Sequence, residues 1–498
     1  MRWHDLLAGL DRAFGVDQAG DPDVEIVAIT HDSRRTTAGS CFACIPGAVT
    51  DGHDHAPDAV ARGAVALLVE RRLPLPVSQA QVANVRAALG PLAAMFFGHP
   101  SASMRVLGVT GTNGKTTTTY LLESIARRAG DRVGVVGTVG ARVAGETISG
   151  PLSGAHTTPE ASDLQALLAH MRDAHVGTVA MEVSSHALHQ HRVDGVQFAA
   201  VGFTNLSREH LDYHGSLDAY FEAKAMLFTR ARTSAAAVNV DDARGVELAA
   251  RAAREGIDVW TYAVGDATTD VGVAAVDYGA SGTRATIVDR RRGVEAVVEV
   301  PLVGSFNLAN ALTAAATARA AGLAFEVVAA GLGEPLVVPG RMERVDVGQP
   351  FAVLVDYAHT PDALARVLAA ARPLAADGAR VLCVFGCGGD RDPGKRPLMG
   401  AAVAAGADVA VVTSDNPRSE DPQAIADAVL PGLRDARTVR VELDRRAAIA
   451  GAFAEAAPGD VVVVAGKGHE SGQTTGGQTV PFDDRVVARE ELGALGWS

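Results

Sequence analysis

The sequence predicts an α/β protein of three domains, the central one built on a parallel sheet. Its 498 residues are too many for one hydrophobic core. Short apolar runs alternate with helical patterns along most of the chain, the β-α-β rhythm of a parallel sheet covered by helices. Two loop-like breaks, Gly98-His99-Pro100-Ser101 and Glu334-Pro335 to Gly340, divide it into residues 1–98, 99–335 and 336–498.

In the first unit, VEIVAIT, SCFACIPG and AVALLVE read as strands and APDAVARG as a helix. In the second, the strand MRVLGVT runs into a helix starting at Lys115, and DRVGVVGTVG is strand-like. Pro159 opens a helix with Thr158 as its N-cap. TVAMEV and FAAVGFTN are two further strands, and β-rich runs between residues 259 and 303 predict an antiparallel excursion. GSFNLANALTAAATARAAG is a long helix of good helix formers. After the second break, FAVLVDYAH, RVLCVFGCG, DVAVVTSD and DVVVVAGKG are four apolar runs between helical stretches, a Rossmann-like α/β unit.

Composition narrows the function. With 48% hydrophobic and 21% charged residues the chain reads as soluble and globular. A net charge of −13 argues against nucleic-acid partners and acidic membranes. No apolar run approaches the ~18 residues of a membrane helix, so no membrane insertion is expected, and a cytoplasmic enzyme is. Cys41, Cys44, Cys383 and Cys387 lack the paired spacing of a metal site and read as buried thiols. Of 45 basic residues only Lys115, Lys224, Lys395 and Lys467 are lysines. A lysine that persists among arginines offers what arginine cannot: a compact charge, and an amine able to lose its proton.

The strongest motif is VLGVTGTNGKTTTT. A strand, a glycine-rich turn and Lys-Thr opening a helix form a cradle of backbone amides for phosphates. The contacts expected there are Gly111, Thr112, Asn113, Gly114, Lys115, Thr116 and Thr117, with Lys115 on the β/γ-phosphates and the Thr116 hydroxyl on Mg²⁺. Val109 stands where the usual pattern has its first glycine, so Gly111 makes the turn. Glu182, ending the strand TVAMEV, faces the ligand crevice of such a sheet and is the natural second Mg²⁺ ligand. His210 follows the next strand and is either a further ligand or a loop histidine.

On the helix LDAYFEAKAMLF, Tyr220, Lys224, Leu227 and Phe228 share an apolar face. Lys224 there either snorkels to water or keeps a depressed pKa and reacts with CO₂ to give a metal-binding carbamate. His156-Thr157-Thr158-Pro159-Glu160 is a helix start that also suits an anionic substrate. Arg341 and Asp356, near the second break, either reach a nucleotide or form an interdomain salt bridge. Arg391, Asp415-Asn416-Pro417-Arg418 and Gly466-Lys467-Gly468-His469-Glu470 follow strand ends in the last unit. Their guanidiniums suit carboxylates and Glu470 suits an ammonium, together an amino-acid head group; solvated loop charges are the alternative.

In order along the chain, GTNGKTT, MEVSSH, HLDYHG, GRME, DYAHTPD, GCGGDRDPGKRP, DNPR and GKGHE resemble the motifs of the Mur ligases of peptidoglycan synthesis. The resemblance implies a UDP-binding domain, a central ATPase domain and a C-terminal amino-acid domain. It implies that ATP phosphorylates a D-glutamyl carboxylate and that an amine displaces the phosphate. It places Ser33, of Asp32-Ser33-Arg34, at the uridine site, and Thr157, Thr158, Ser184, Gln190 and Arg192 on the dipeptide of the UDP-MurNAc-dipeptide. It makes Lys224 the carbamylated lysine and a metal ligand beside Thr116, Glu182 and His210. It places Asn307, Arg341 and Asp356 near ATP. Arg391, Asp415, Asn416, Pro417, Arg418, Gly466 and Glu470 would hold meso-diaminopimelate, since DNPR marks members that add it. His156, and Ala48-Val49-Thr50 in the uracil loop, depart from the family pattern. The alternatives are an L-lysine-adding member, a folylpolyglutamate synthase-like ligase, and a regulatory nucleotide-binding module without ligation.

Overall fold

The structure, a computed structural model, describes residues 1–47, 50–149, 156–266, 268–279 and 281–497. Three separate α/β sheets form its skeleton, beside a small hairpin. The first has the order Asp17–Ala19, Ser78–Gln81, Ala64–Val69, Ser40–Ala43, Ala28–Thr30, parallel except for its first pair. Helices Trp3–Phe14 and Val85–Phe96 cover it and bury Trp3, Leu6, Leu10, Leu89 and Leu92. Trp3–Phe14 begins with Arg2 at its N-cap and no capping side chain, so it lacks the usual start marker.

Six parallel strands form the heart of the second sheet: Asp258–Tyr262, Ala235–Asn239, Ala200–Phe203, Arg105–Thr110, Thr178–Glu182 and Val133–Gly137, in that order. The expected antiparallel excursion is made by Val271–Tyr278, Thr283–Asp289 and Val294–Val300, whereas Asp258–Tyr262 belongs to the parallel set. Arg105–Thr110 has chain-later strands on both sides, so the order reverses there. A crevice at the carboxyl ends of the strands follows, where open α/β sheets bind ligands.

Glu343–Val345, Ala352–Asp356, Val461–Ala465, Val381–Phe385, Val409–Val412 and Thr438–Val441 make the third sheet, parallel except for its first pair. Its four inner strands are the four apolar runs. The edge strand Thr438–Val441 is partly exposed and lacks such a run.

Two local expectations are corrected. The helix after Pro159 spans Ala161–Asp173, and its N-cap is Glu160. The Thr158 hydroxyl is spent elsewhere: it donates to the Glu182 carbonyl at 2.9 Å and accepts from the Ser184 amide at 3.1 Å. The helix bearing Lys224 ends at Ala225, so Leu227 and Phe228 are buried from the turn beyond it.

In the third unit Arg445 and Asp484 pair with both side chains fully buried, Nε–Oδ1 at 2.8 Å and Nη2–Oδ2 at 2.7 Å. Arg445 also donates to the carbonyls of Ala465 and Ser414, tying two strand ends to the helix Asp484–Ala494. Asp484→Ala would strand a buried guanidinium and lower unfolding stability by about 3–5 kcal/mol in urea titration. A loss below about 1 kcal/mol would mean that water or another acceptor replaces the carboxylate.

Candidate active site

The strand Arg105–Thr110 hands the chain to a loop with Gly111 at φ +148° and Gly114 at φ +91°, then to the helix Lys115–Arg128. A Cβ on Gly111 would overlap the Thr204 hydroxyl, and one on Gly114 the Asn310 amide oxygen. The neighbouring strand end braces the loop. Thr204 Oγ1 and Asn205 Nδ2 donate to the Asn113 carbonyl at 2.6 and 3.1 Å, and the Asn113 amide donates to Asn205 Oδ1 at 3.0 Å. Lys115 folds back, its Nζ donating to the carbonyls of Gly111 and Thr112 at 2.9 and 2.7 Å. Burial depresses its pKa.

A cavity of about 240 Å³ opens on this loop. Thr112 to Thr117, Glu182, His210, Arg341 and Asp356 line it, as do Thr157 and Ser184. Glu182 is buried, accepting from the Thr138 amide at 2.9 Å and hydroxyl at 3.0 Å. His210 is pushed down to about 4 by burial first and by neighbouring cations. Arg341 Nη2 donates to Thr116 Oγ1 at 3.2 Å, and its guanidinium lies 4.4 Å from the Tyr357 ring centroid. Asp356 accepts from the amides of Met342 and Ala358, both at 2.7 Å, and burial raises its pKa. Among the described residues neither makes the interdomain ion pair that was the alternative.

Lys224 and Asn307 are not among the residues lining this cavity. Lys224 lies behind the loop, 1% exposed, with Nζ donating to the Gly111 carbonyl at 2.7 Å and 4.3 Å from the Tyr220 ring centroid. Burial, then the Lys115 charge, drives its pKa well below the usual lysine value. Asn307 donates to the Val303 carbonyl and accepts from Asn310, and Asn310 lines the cavity. Glu209 and His359 also line it: His359 Nε2 meets Glu209 Oε1 at 2.7 Å, and His359 Nδ1 lies 2.7 Å from the Tyr357 carbonyl. Sequence reading passed over Glu209 and Asn310, although each adjoins a residue it chose, beside His210 and one helical turn after Asn307. Among the described residues no three His, Cys, Asp or Glu side chains converge on a metal position. The Thr116 hydroxyl and Glu182 carboxylate are hard oxygen donors that fit Mg²⁺, whereas an unmodified Lys224 offers no oxygen.

On the far side, Arg192 donates to the Thr158 carbonyl and to Gln190 Oε1, and pairs with Glu160 at 2.9 Å. Ser184 caps the helix Ser185–His189. Ser33 lies in a one-turn helix capped by Asp32. Its neighbours His31 and Arg35 reach Ser162 and Asp163 at the start of the helix Ala161–Asp173, at 2.9 and 3.0 Å. Ser33 is thereby brought to the side where Thr157 and Thr158 sit. Ala48 and Val49 of the expected uracil loop lie outside the described residues.

In the third unit, Arg418 has φ +55°, a strained state for a non-glycine residue. The hairpin Gly472–Thr475/Gln478–Pro481 holds it, the Arg418 amide donating to the Thr474 carbonyl at 2.9 Å. Arg418 Nη1 donates to the Gly389 carbonyl at 2.6 Å. A Cβ on Gly388 would sit 3.0 Å from Arg418 Nη1 and 3.8 Å from Arg391 Cγ, so both arginines flank that glycine. Asp415 and Asn416 are buried, and Asn416 Nδ2 donates to Glu470 Oε2 at 2.8 Å. Pro417 is buried beside them, and Gly466 takes φ +118°. The four cysteines are buried and free, as expected.

Gly114→Ala is expected to keep the fold but weaken nucleotide binding at least tenfold by calorimetry, through a strained φ and a steric overlap. Unchanged affinity would show that the loop has room the structure denies it.

Three family models match in order: Mur ligase family, catalytic domain, over residues 25–96; Mur ligase middle domain over 109–318; and Mur ligase, glutamate ligase domain over 340–468. A UDP-N-acetylmuramoyl-L-alanyl-D-glutamate--2,6-diaminopimelate ligase of Streptomyces coelicolor is 46% identical, covering 98% of this chain and 96% of that one. A Solibacter usitatus protein of the same name is 45% identical over 95% of this chain and 94% of its own. A solved structure of that title superposes with a TM-score of 0.71 at 33% identity, covering 100% of both chains. Matched along nearly its whole length, the chain belongs to the Mur ligase family.

Proposed function

We propose that the chain is an ATP- and Mg²⁺-dependent ligase joining meso-2,6-diaminopimelate to the D-glutamyl residue of UDP-N-acetylmuramoyl-L-alanyl-D-glutamate, in cytoplasmic peptidoglycan precursor synthesis. One observation carries the reading: the phosphate loop and the amino-acid-type loops meet one interdomain wall. Tyr357 and His359 line the phosphate cavity. The Tyr357 ring packs 5.1 Å from that of His469, beside Glu470, and the His359 carbonyl accepts from Lys395, beyond Arg391, at 3.0 Å. The diaminopimelate in both relatives' names supports this substrate over lysine. The family-model boundaries are compatible with domains at 1–98, 99–335 and 336–498.

In this reading Lys115 and the loop amides hold the polyphosphate and stabilise charge as the γ-phosphoryl group moves to the D-glutamyl carboxylate. Thr157, Thr158, Ser184, Gln190 and Arg192 orient that carboxylate, and Ser33 holds the uridine end. Asn310 is added to Asn307, Arg341 and Asp356 on the nucleotide side. The diaminopimelate amine then attacks the acyl phosphate and inorganic phosphate leaves. Thr116, Glu182, His210 and a carbamylated Lys224 would hold Mg²⁺, which would supply positive charge to the reacting phosphate. Small molecules are the only partners this reading needs.

Incubation with ATP, Mg²⁺, the UDP-dipeptide and candidate amino acids should yield a product heavier by one diaminopimelate residue, with phosphate released only when both acceptors are present. Lys115→Ala should lose turnover by at least about a thousandfold. ATP hydrolysis that ignores both acceptors would favour a regulatory module instead.

Arg418 is expected to choose diaminopimelate over lysine through the extra carboxylate. Two hydrogen bonds to a charged group imply roughly hundredfold discrimination or more. Arg418→Ala should raise the KM for diaminopimelate steeply and leave that for ATP nearly unchanged. Equal incorporation of lysine by the unmodified enzyme would contradict this role.

A further inference from the structure

Lys467 is fully buried, yet none of the roles above uses it. Its Nζ donates to Asn416 Oδ1 and to Glu470 Oε2, both at 3.2 Å, and lies 3.8 Å from Asp415 Oδ1. Asn416 Oδ1 also accepts from the Thr474 amide at 3.0 Å, so the amide oxygen faces two donors and its nitrogen faces Glu470. Glu470 Oε2 is thus taken twice, and Oε1 is left for a ligand.

Asp415 is in a different state. Its nearest side-chain donor among the described residues is Asn416 Nδ2, at 3.4 Å. Its Oδ2 lies over Gly466, where a Cβ would come within 3.3 Å. Arg445, the next nearby cation, is already paired with Asp484. A buried carboxylate with unused acceptors is costly until a cation arrives. Asp415 and Glu470 set two carboxylates against the single charge of Lys467, and burial raises the Asp415 pKa, so its charged form is favoured only when a further cation is beside it.

We propose that Lys467 is a positioning residue that aims Asn416 and Glu470 at the one ammonium group an amino-acid ligand brings to them. The proposal rests on the amino-acid reading of this pocket given above. A ligand with one ammonium inside and a carboxylate toward Arg391 and Arg418 balances the charges. Lysine as a ligand brings the same single ammonium but no carboxylate, so it leaves Arg391 and Arg418 unmatched. Lysine suits the task because its compact charge offers three donors in different directions, whereas a guanidinium is a planar fork.

The test compares full-length wild type with Lys467→Met and Lys467→Gln, the latter keeping a hydrogen-bond donor and losing the charge. KM is measured for diaminopimelate, ATP and the UDP-dipeptide, with the product ratio in a diaminopimelate–lysine competition and the melting temperature. Both variants are expected to raise the KM for diaminopimelate about thirtyfold, the loss of a charge-assisted contact. They should hold the KM for ATP within about twofold and the product ratio within about threefold of wild type, because both amino acids bring one ammonium to Asp415 and Glu470 and differ only in the carboxylate that faces Arg391 and Arg418. A wild-type KM for diaminopimelate in both variants would overturn the proposal. So would an equal rise in all three KM values with a lowered melting temperature, the mark of a merely structural lysine. Wild-type enzyme that ligates neither amino acid would overturn the ligase reading and this proposal with it. Normal wild-type ligation with unaltered variants would overturn this proposal alone.

Discussion

Two lysine side chains converge on the carbonyl oxygen of Gly111, Lys115 at 2.9 Å and Lys224 at 2.7 Å. A half-buried and a fully buried ammonium group on one acceptor repel each other, and loss of water disfavours each charge separately. The relief open to the pair is for one to give up its proton. The fully buried Lys224 does so more readily, having the Tyr220 ring beside it and the Lys115 charge against it. A neutral, buried amine is a nucleophile. Reaction with CO₂, the carbamylation proposed for this lysine, would form an N–C bond, release a proton and turn a potential cation into an anion beside Lys115. Gly111 makes the arrangement possible, because its φ of +148° and missing Cβ let Thr204 close over the loop.

The third unit completes what the loop begins. Arg341 reaches the Thr116 hydroxyl, Asn113 reaches Asp362, and Glu209 meets His359. These contacts bring charged groups from two sheets to one cavity, so a polyphosphate there touches both units. On its other side Arg35 and Arg86 pair with Asp163 and Glu160, tying the first unit to the start of the helix Ala161–Asp173, close in sequence to Thr158. A chain of net charge −13 still gathers arginines and lysines wherever an anion is expected.

Much of this was legible in the sequence, for physical reasons. The inner strands are buried on both faces and read as continuous apolar runs, and the glycine loop can hardly be anything but a close approach of backbone to a ligand. Edge strands and the uncapped first helix lack such marks. Thr158 looked like a helix cap because Thr-Pro-Glu is an ideal helix start, but tertiary hydrogen bonds to Glu182 and Ser184 claimed its hydroxyl. The motif does not tell where the Lys224 amine sits, which is behind the loop on the Gly111 carbonyl. Spacing along one helix says which face a residue takes, not which loop will lie across it. Glu209 and Asn310 adjoin chosen residues in sequence, but only the meeting of distant elements shows that they line the cavity.

We propose that Lys224 works as a carbamate, since its buried position beside Lys115 disfavours a plain ammonium. Carbon-13 NMR of the protein equilibrated with ¹³C-bicarbonate tests it most directly. The account predicts one protein-bound carbamate resonance, present in the wild type, strengthened by Mg²⁺ and ATP, and lost in Lys224→Arg. A fully active wild-type enzyme showing no such resonance, or one that survives in Lys224→Arg, would contradict it.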